Sequence, residues 1–168
     1  MTLLDWPYVR RVLSPSEIPT KNLLLLAIMR VESSYDPNAV RHEPGFKDVW
    51  NIDRNAKELG ISNVTEETFQ KTSWGLGQIM GGTARWLGYH GPLTGLLDVQ
   101  TNIIFSEALL QRLLERYNQN ISKAVAAYNK GNARHCSDDA CSVDEYVQKV
   151  KAEYNMHSKY NIWPGSRV

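Results

Sequence analysis

Leu23-Leu24-Leu25-Leu26-Ala27-Ile28-Met29-Arg30-Val31-Glu32-Ser33-Ser34-Tyr35-Asp36-Pro37-Asn38 is an apolar run that ends on a carboxylate and then on a turn. Leu24, Ala27, Ile28 and Val31 recur at the spacing of one helix face. The run from Leu23 to Met29 falls far short of the roughly 20 apolar residues a membrane span needs, and it lies too far inside the chain to be a secretion signal. It predicts a buried helix segment. Pro37 bars continuation of the helix, while Asp36 and Asn38 suit a turn, so the helix breaks directly after Glu32. The carboxyl of Glu32 is thereby left at a helix end, facing a cleft and pressed beside an apolar stripe, an unusual place for a charge. Apolar neighbours disfavour its ionised form and raise its proton affinity, which suits a proton donor near neutral pH. Otherwise Glu32 merely ends the helix or pairs with Arg30 or Arg41 at the surface.

Working outward, the helical repeat returns in Val99, Ile103, Ser106, Leu110, Leu113 and Tyr117, and again in Val143, Tyr146, Val147, Val150 and Tyr154. Ser142 and Glu145 are spaced as a capping box, which predicts a C-terminal helix starting near residue 142. Shorter helices are expected around 48 to 59, 65 to 71 and 82 to 87, and no run alternates with period two. Pro44-Gly45, Gly91-Pro92 and the polar segment from Gly131 to Ser142 read as loops. The tail from Asn161 to Val168 lacks periodicity. With no internal repeat and no linker, the expectation is one all-α, mainly helical domain over residues 1–168.

The 168 residues suffice for a core without metal or disulfide staples, and 42% hydrophobic with 22% charged residues is ordinary globular composition. Nineteen basic and 18 acidic residues leave a net charge of +1, so no global field favours nucleic acid or an anionic membrane surface. A polymer ligand would have to be held by shape and hydrogen bonds. Cys136 and Cys141 either close a small loop or remain thiols. His135 stands beside them, but no further ligand lies at metal-site spacing, and no metal or cofactor is expected.

Two further motifs follow Glu32-Ser33. Ser73-Trp74-Gly75-Leu76-Gly77-Gln78-Ile79-Met80 has glycines that let backbone approach a ligand, an amide that both donates and accepts, and a soft apolar wall in Met80. It also fits a tight turn before a helix. Ala127-Tyr128-Asn129-Lys130-Gly131 closes an alanine-rich helical stretch that begins near Ser122, with Gly131 suited to the stop. In this order the motifs resemble those of the soluble lytic transglycosylases, a branch of the goose-type lysozyme superfamily. A later tyrosine lines the cleft in that family, and Tyr146 is its counterpart here.

The resemblance implies a lysozyme-like domain with a substrate cleft, its motifs lying within residues 20–160. It implies that Glu32 is the catalytic acid/base and that Ser33, Gln78, Met80, Tyr128, Asn129 and Tyr146 bind substrate, with the Tyr128 hydroxyl near Glu32. The partner would be peptidoglycan glycan strands, without nucleic acid or stable membrane insertion, and the protein a monomer by default. The bond cleaved would join N-acetylmuramic acid to N-acetylglucosamine and leave 1,6-anhydromuramyl ends. The alternatives are a goose-type lysozyme that hydrolyses the same bond and a non-catalytic glycan-binding or structural module. Such an enzyme acts in the periplasm or cell wall. As no export signal is visible, the chain would be a mature form or an endolysin released by a phage.

This chain departs from the family pattern in three places. It inserts Arg41-His42-Glu43-Pro44-Gly45-Phe46 and a helical stretch up to Thr72, which are expected to form one wall of the cleft. Arg41 stands where members with short connections carry a serine that holds the substrate's acetamido group. Gly77 replaces a larger residue, which should either widen the subsite beside Gln78 or tighten the loop. Glu43 is a possible second carboxylate that would steer a water in an inverting hydrolase; the plainer expectation is a solvated loop charge. Trp50, Trp74, Trp86, Tyr89 and Tyr128 could stack on sugar faces, but such aromatics are more often core than ligand contacts, and Trp50 and Trp86 are not counted among the site residues.

Overall fold

The computed structural model describes residues 20–131 and 138–157. Helix α1 (Thr20–Ser33) carries the apolar run, and Leu24 to Met29 are each 2% exposed or less. A helix apolar on every side needs partners on every side. Helix α8 (Glu145–His157) lies along α1, and α5 (Val99–Arg116) also contacts it. Helix α6 (Ile121–Lys130) packs between α5 and α8 through the small residues Ala124, Val125, Ala126 and Ala127, all buried. Leu110, Leu113 and Leu114 of α5 and Val147, Val150 and Tyr154 of α8 complete this core. Truncating any one of its fully enclosed leucines to alanine would cost about 2–5 kcal/mol.

A smaller layer stands beside this bundle. Strands β1 (Val40–His42), β2 (Thr72–Trp74) and β3 (Ile79–Met80) form an antiparallel sheet in that order, with Arg41 opposite Ser73 and Ser73 opposite Met80. No run of the sequence alternates visibly, because strands of two or three residues are too short to display a period of two. Helices α2 (Ile52–Leu59), α3 (Asn63–Gln70) and α4 (Gly81–Trp86) surround the sheet, followed by a 3-10 turn at Leu93–Leu97. Ser62 caps α3 by accepting the Thr65 N–H at 3.0 Å, which sets its start ahead of the expected residue 65. Trp74, Ile79, Ala84, Leu93 and Leu96 make a second core between sheet and helices.

The C-terminal helix starts later than its apparent capping box suggested. Asp144 caps it, accepting the N–H groups of Tyr146 at 3.1 Å and Val147 at 3.3 Å. Ser142 instead ends a short helix, α7 (Asp138–Ser142), in the stretch expected to be a loop. Cys141 is fully buried and disulfide-bonded, and α7 packs on α6, so tertiary contacts order a segment whose composition reads as irregular. Val143 is 74% exposed, and the core stripe begins at Tyr146. His135 and Cys136 lie outside the described residues.

Candidate active site

Glu32 occupies the last turn of α1. Ser34 and Tyr35 then adopt left-handed backbone with φ of 54° and 65°, turning the chain sharply away. An Asx turn follows, with the Asn38 N–H donating to Asp36 Oδ1 at 2.9 Å. The turn leaves the Glu32 carboxyl in the wall of a cleft of about 620 Å³ that runs between the bundle and the sheet layer. Burial raises the pKa of Glu32, against a hydrogen bond from Tyr146 and the positive charge of Arg41, which both act to lower it. The apolar setting read from the sequence is therefore the dominant influence on this carboxyl.

The second motif forms the four-residue connection between β2 and β3 and sits directly under the end of α1. The Ser33 hydroxyl donates to Leu76 O at 2.8 Å, so it ties the first motif to the second. It is not among the residues that line the cleft, although the resemblance places it against substrate. Gln78 does line the cleft, but its amide is largely committed: Nε2 donates to Ala39 O at 3.0 Å and Gly75 O at 2.9 Å, and Oε1 accepts from Ser73 Oγ at 2.8 Å. Both amide hydrogens are spent inside the protein, so Gln78 offers a ligand at most its remaining acceptor capacity. Met80 forms part of the wall as expected.

Asn102 of α5 holds this turn from below. Its Nδ2 donates to Trp74 O and Leu96 O, both at 2.8 Å, and its Oδ1 accepts the Gly77 N–H at 2.8 Å, all of it buried. The sequence reading missed Asn102, whose only signal was an amide on the apolar face of a helix. A Cβ on Gly77 would stand 2.1 Å from Ser106 Oγ and 2.9 Å from the Tyr128 hydroxyl. Of the two consequences expected of this glycine, the structure realises the tightened loop.

The two tyrosine hydroxyls have different hydrogen-bond partners, and the charge of Glu32 acts on both. The Tyr128 hydroxyl donates to Gly77 O at 2.9 Å, and the hydroxyl bonded to Glu32 is that of Tyr146, which donates to Oε1 at 2.5 Å. Tyr128 lines the cleft, whereas Tyr146, on α8, is not among the lining residues and meets the cleft through its bond to Glu32. Both phenols have raised pKa values, first because they are buried and then because of the Glu32 charge, so both stay protonated as donors. Asn129 is exposed at the rim of the cleft beside Lys130 and Gly131.

The opposite wall is the insertion. Gly45, Phe46, Lys47, Asp48 and Trp50 line the cleft with Arg41 and Glu43. Glu43 forms an ion pair with Arg41, so its carboxylate is engaged by a cation. Trp50 and Trp86 also line the cleft, at 43% and 44% exposed, and so stand apart from the core; Trp74 is buried as expected.

One carboxyl of raised proton affinity, a phenol behind it and a long open cleft suit acid/base cleavage of a polymer. No solved structure matches the chain. Residues 19–142, which include Glu32 and all three motifs up to Gly131, match the Transglycosylase SLT domain. The match covers well over half of the 168 residues. The chain belongs to the Transglycosylase SLT domain family, a lysozyme-like, mainly helical family of lytic transglycosylases that act on peptidoglycan.

Proposed function

We propose that the protein cleaves the β-1,4 bond between N-acetylmuramic acid and N-acetylglucosamine and leaves a 1,6-anhydromuramyl end, with Glu32 as the single general acid/base. The observation that carries this reading is the environment of Glu32: a cleft-lining carboxyl whose proton affinity is raised by burial and whose position is held by the Tyr146 hydroxyl. Protonated Glu32 gives its proton to the glycosidic oxygen as the bond to C1 breaks. The muramyl acetamido group supports the charge that develops at C1. The Glu32 carboxylate then takes the proton of the muramyl C6 hydroxyl as that oxygen bonds to C1. The proton Glu32 lost is regained, and no water enters the product.

Hydrolysis of the same bond would need a second carboxylate to direct water. Glu43 lines the cleft in an ion pair with Arg41, and the products distinguish the two reactions. The test is digestion of purified peptidoglycan by the wild type, Glu32→Gln and Glu43→Gln, followed by muropeptide masses. The expected result is anhydro-muropeptides from the wild type and Glu43→Gln and none from Glu32→Gln. Reducing-end products that vanish in Glu43→Gln would establish the goose-type lysozyme reading. No product from any of the three would leave a glycan-binding module.

A further inference from the structure

Trp50 and Trp86 have no part in the chemistry at Glu32, yet much of the second layer serves to place them. Trp50 stands just ahead of α2, and its backbone is clamped on both sides: its N–H donates to Gln70 Oε1 at 2.6 Å, and its carbonyl accepts from Gln70 Nε2 at 2.8 Å and Asn55 Nδ2 at 2.9 Å. Gln70 is fully buried and also donates to Glu66 Oε1, which Arg85 Nε holds at 2.8 Å in an ion pair closed to water. Arg85 immediately precedes Trp86 on α4. One buried polar network thus reaches the backbone of Trp50 and the neighbour of Trp86.

Helix α4 packs against the insertion, and both rings line the same cleft. A Cβ on Gly82 would stand 2.2 Å from Asp48 O and 2.8 Å from Phe46 Cε1, so the segment leading to Trp50 rests directly on α4. Trp86 lies four residues beyond Gly82, on the same helix face. Arg112 of α5 stands 4.9 Å from the centroid of the Trp86 ring and covers one of its faces, yet the ring remains 44% exposed. A single exposed tryptophan would be unremarkable. Two of them lining the reactive cleft, one with its backbone clamped by buried hydrogen bonds and the other next to a residue in a buried ion pair, form a built surface.

We propose that Trp50 and Trp86 are a stacking platform for the pyranose rings of a glycan strand, which makes them substrate-binding residues beyond the acid/base centre. The inference rests on the glycan-cleaving reading above. An amphipathic ring suits a sugar, whose C–H face is apolar and whose edge is polar. Lys47, Asp48 and Thr83 line the same cleft and can meet that edge with hydrogen bonds. With a net charge of only +1, the chain has no general electrostatic hold on the polymer, and aromatic contact supplies one.

The test uses the full chain carrying Glu32→Gln, oxidised with N-bromosuccinimide in the presence and absence of chitohexaose, with each tryptophan read by peptide mass spectrometry. Trp50 and Trp86 are expected to be oxidised readily without sugar and protected by it, with buried Trp74 slow throughout. In the wild-type background, Trp50→Ala and Trp86→Ala should each raise KM for glycan strands roughly fivefold with little change in kcat. The corresponding phenylalanine variants should recover most of that loss, which separates stacking from a folding defect. Equal oxidation of both tryptophans of the Glu32→Gln chain with and without chitohexaose, alongside a wild type that cleaves peptidoglycan, would overturn the platform and leave the proposed activity standing. Failure of the wild type to cleave peptidoglycan would overturn the activity, and the platform with it.

Discussion

Tyr146→Phe removes one oxygen and keeps the ring that packs against the bundle core, so it isolates the hydrogen bond to Glu32. That bond favours the carboxylate, and it opposes the burial that raises the Glu32 pKa. Hydrogen bonds to charged groups are worth about 1.5–3 kcal/mol, and the lower end applies here because the cleft side of Glu32 is open to water. The loss therefore moves the titration of Glu32 upward, in the same direction as its burial. Proton donation requires the protonated acid, so activity falls as pH rises through this pKa. The alkaline limb of kcat/KM on peptidoglycan should therefore move to higher pH in Tyr146→Phe, with the burial effect and the Arg41 charge unchanged. Turbidity loss measured across a pH series reads the limb directly. A limb that stays in place or moves to lower pH would refute the role assigned to Tyr146 as a positioning residue that donates to the ionised acid.

Glu32→Gln should make the fold more stable at neutral pH. A carboxyl whose pKa is higher in the folded chain binds protons more tightly there, so stability is lost as pH rises through the window between its unfolded and folded pKa values. Above that window the variant should melt about 2 °C or more higher than the wild type, and below it the two should converge. Asn102→Ala strands Trp74 O, Leu96 O and the Gly77 N–H without a partner, at about 1–3 kcal/mol each, and urea unfolding should show a loss of several kcal/mol together with lost activity. Glu66→Gln leaves the Arg85 guanidinium buried without a counter-charge and should cost about 3–5 kcal/mol in the same assay. Gly77→Ala drives a methyl into Ser106 and Tyr128 and should cost about 1–3 kcal/mol, and adding Ser106→Gly should return most of it.

Long helices and their ends were legible because their signals are local. The repeat of Leu110, Leu113 and their neighbours and the break at Pro37 each act over a few residues, and the structure places α1 and α5 where they predict. The short strands were not legible, since three residues such as Thr72–Trp74 carry no period of their own and form a sheet only because the second motif folds back beneath α1. The start of α8 was misplaced for a related reason. Ser142 and Glu145 have the spacing of a cap, but the burial of Cys141 draws Ser142 into a helix of its own and leaves the capping to Asp144.

By itself the sequence determined that a carboxylate ends a buried helix, that three motifs follow in family order, and that an insertion is available to wall a cleft. These depend on composition and spacing along the chain. Tertiary structure alone decided which hydroxyl reaches that carboxylate, because Tyr146 and Glu32 lie 114 residues apart and meet only through the packing of α8 on α1. It also decided that Ser33 and most of Gln78 are spent on internal hydrogen bonds, that Arg41 engages Glu43, and that Trp50 and Trp86 face the cleft. A polar or aromatic side chain has the same chemistry wherever it stands. What it does depends on which of its bonds the fold satisfies internally and which it leaves turned towards a ligand.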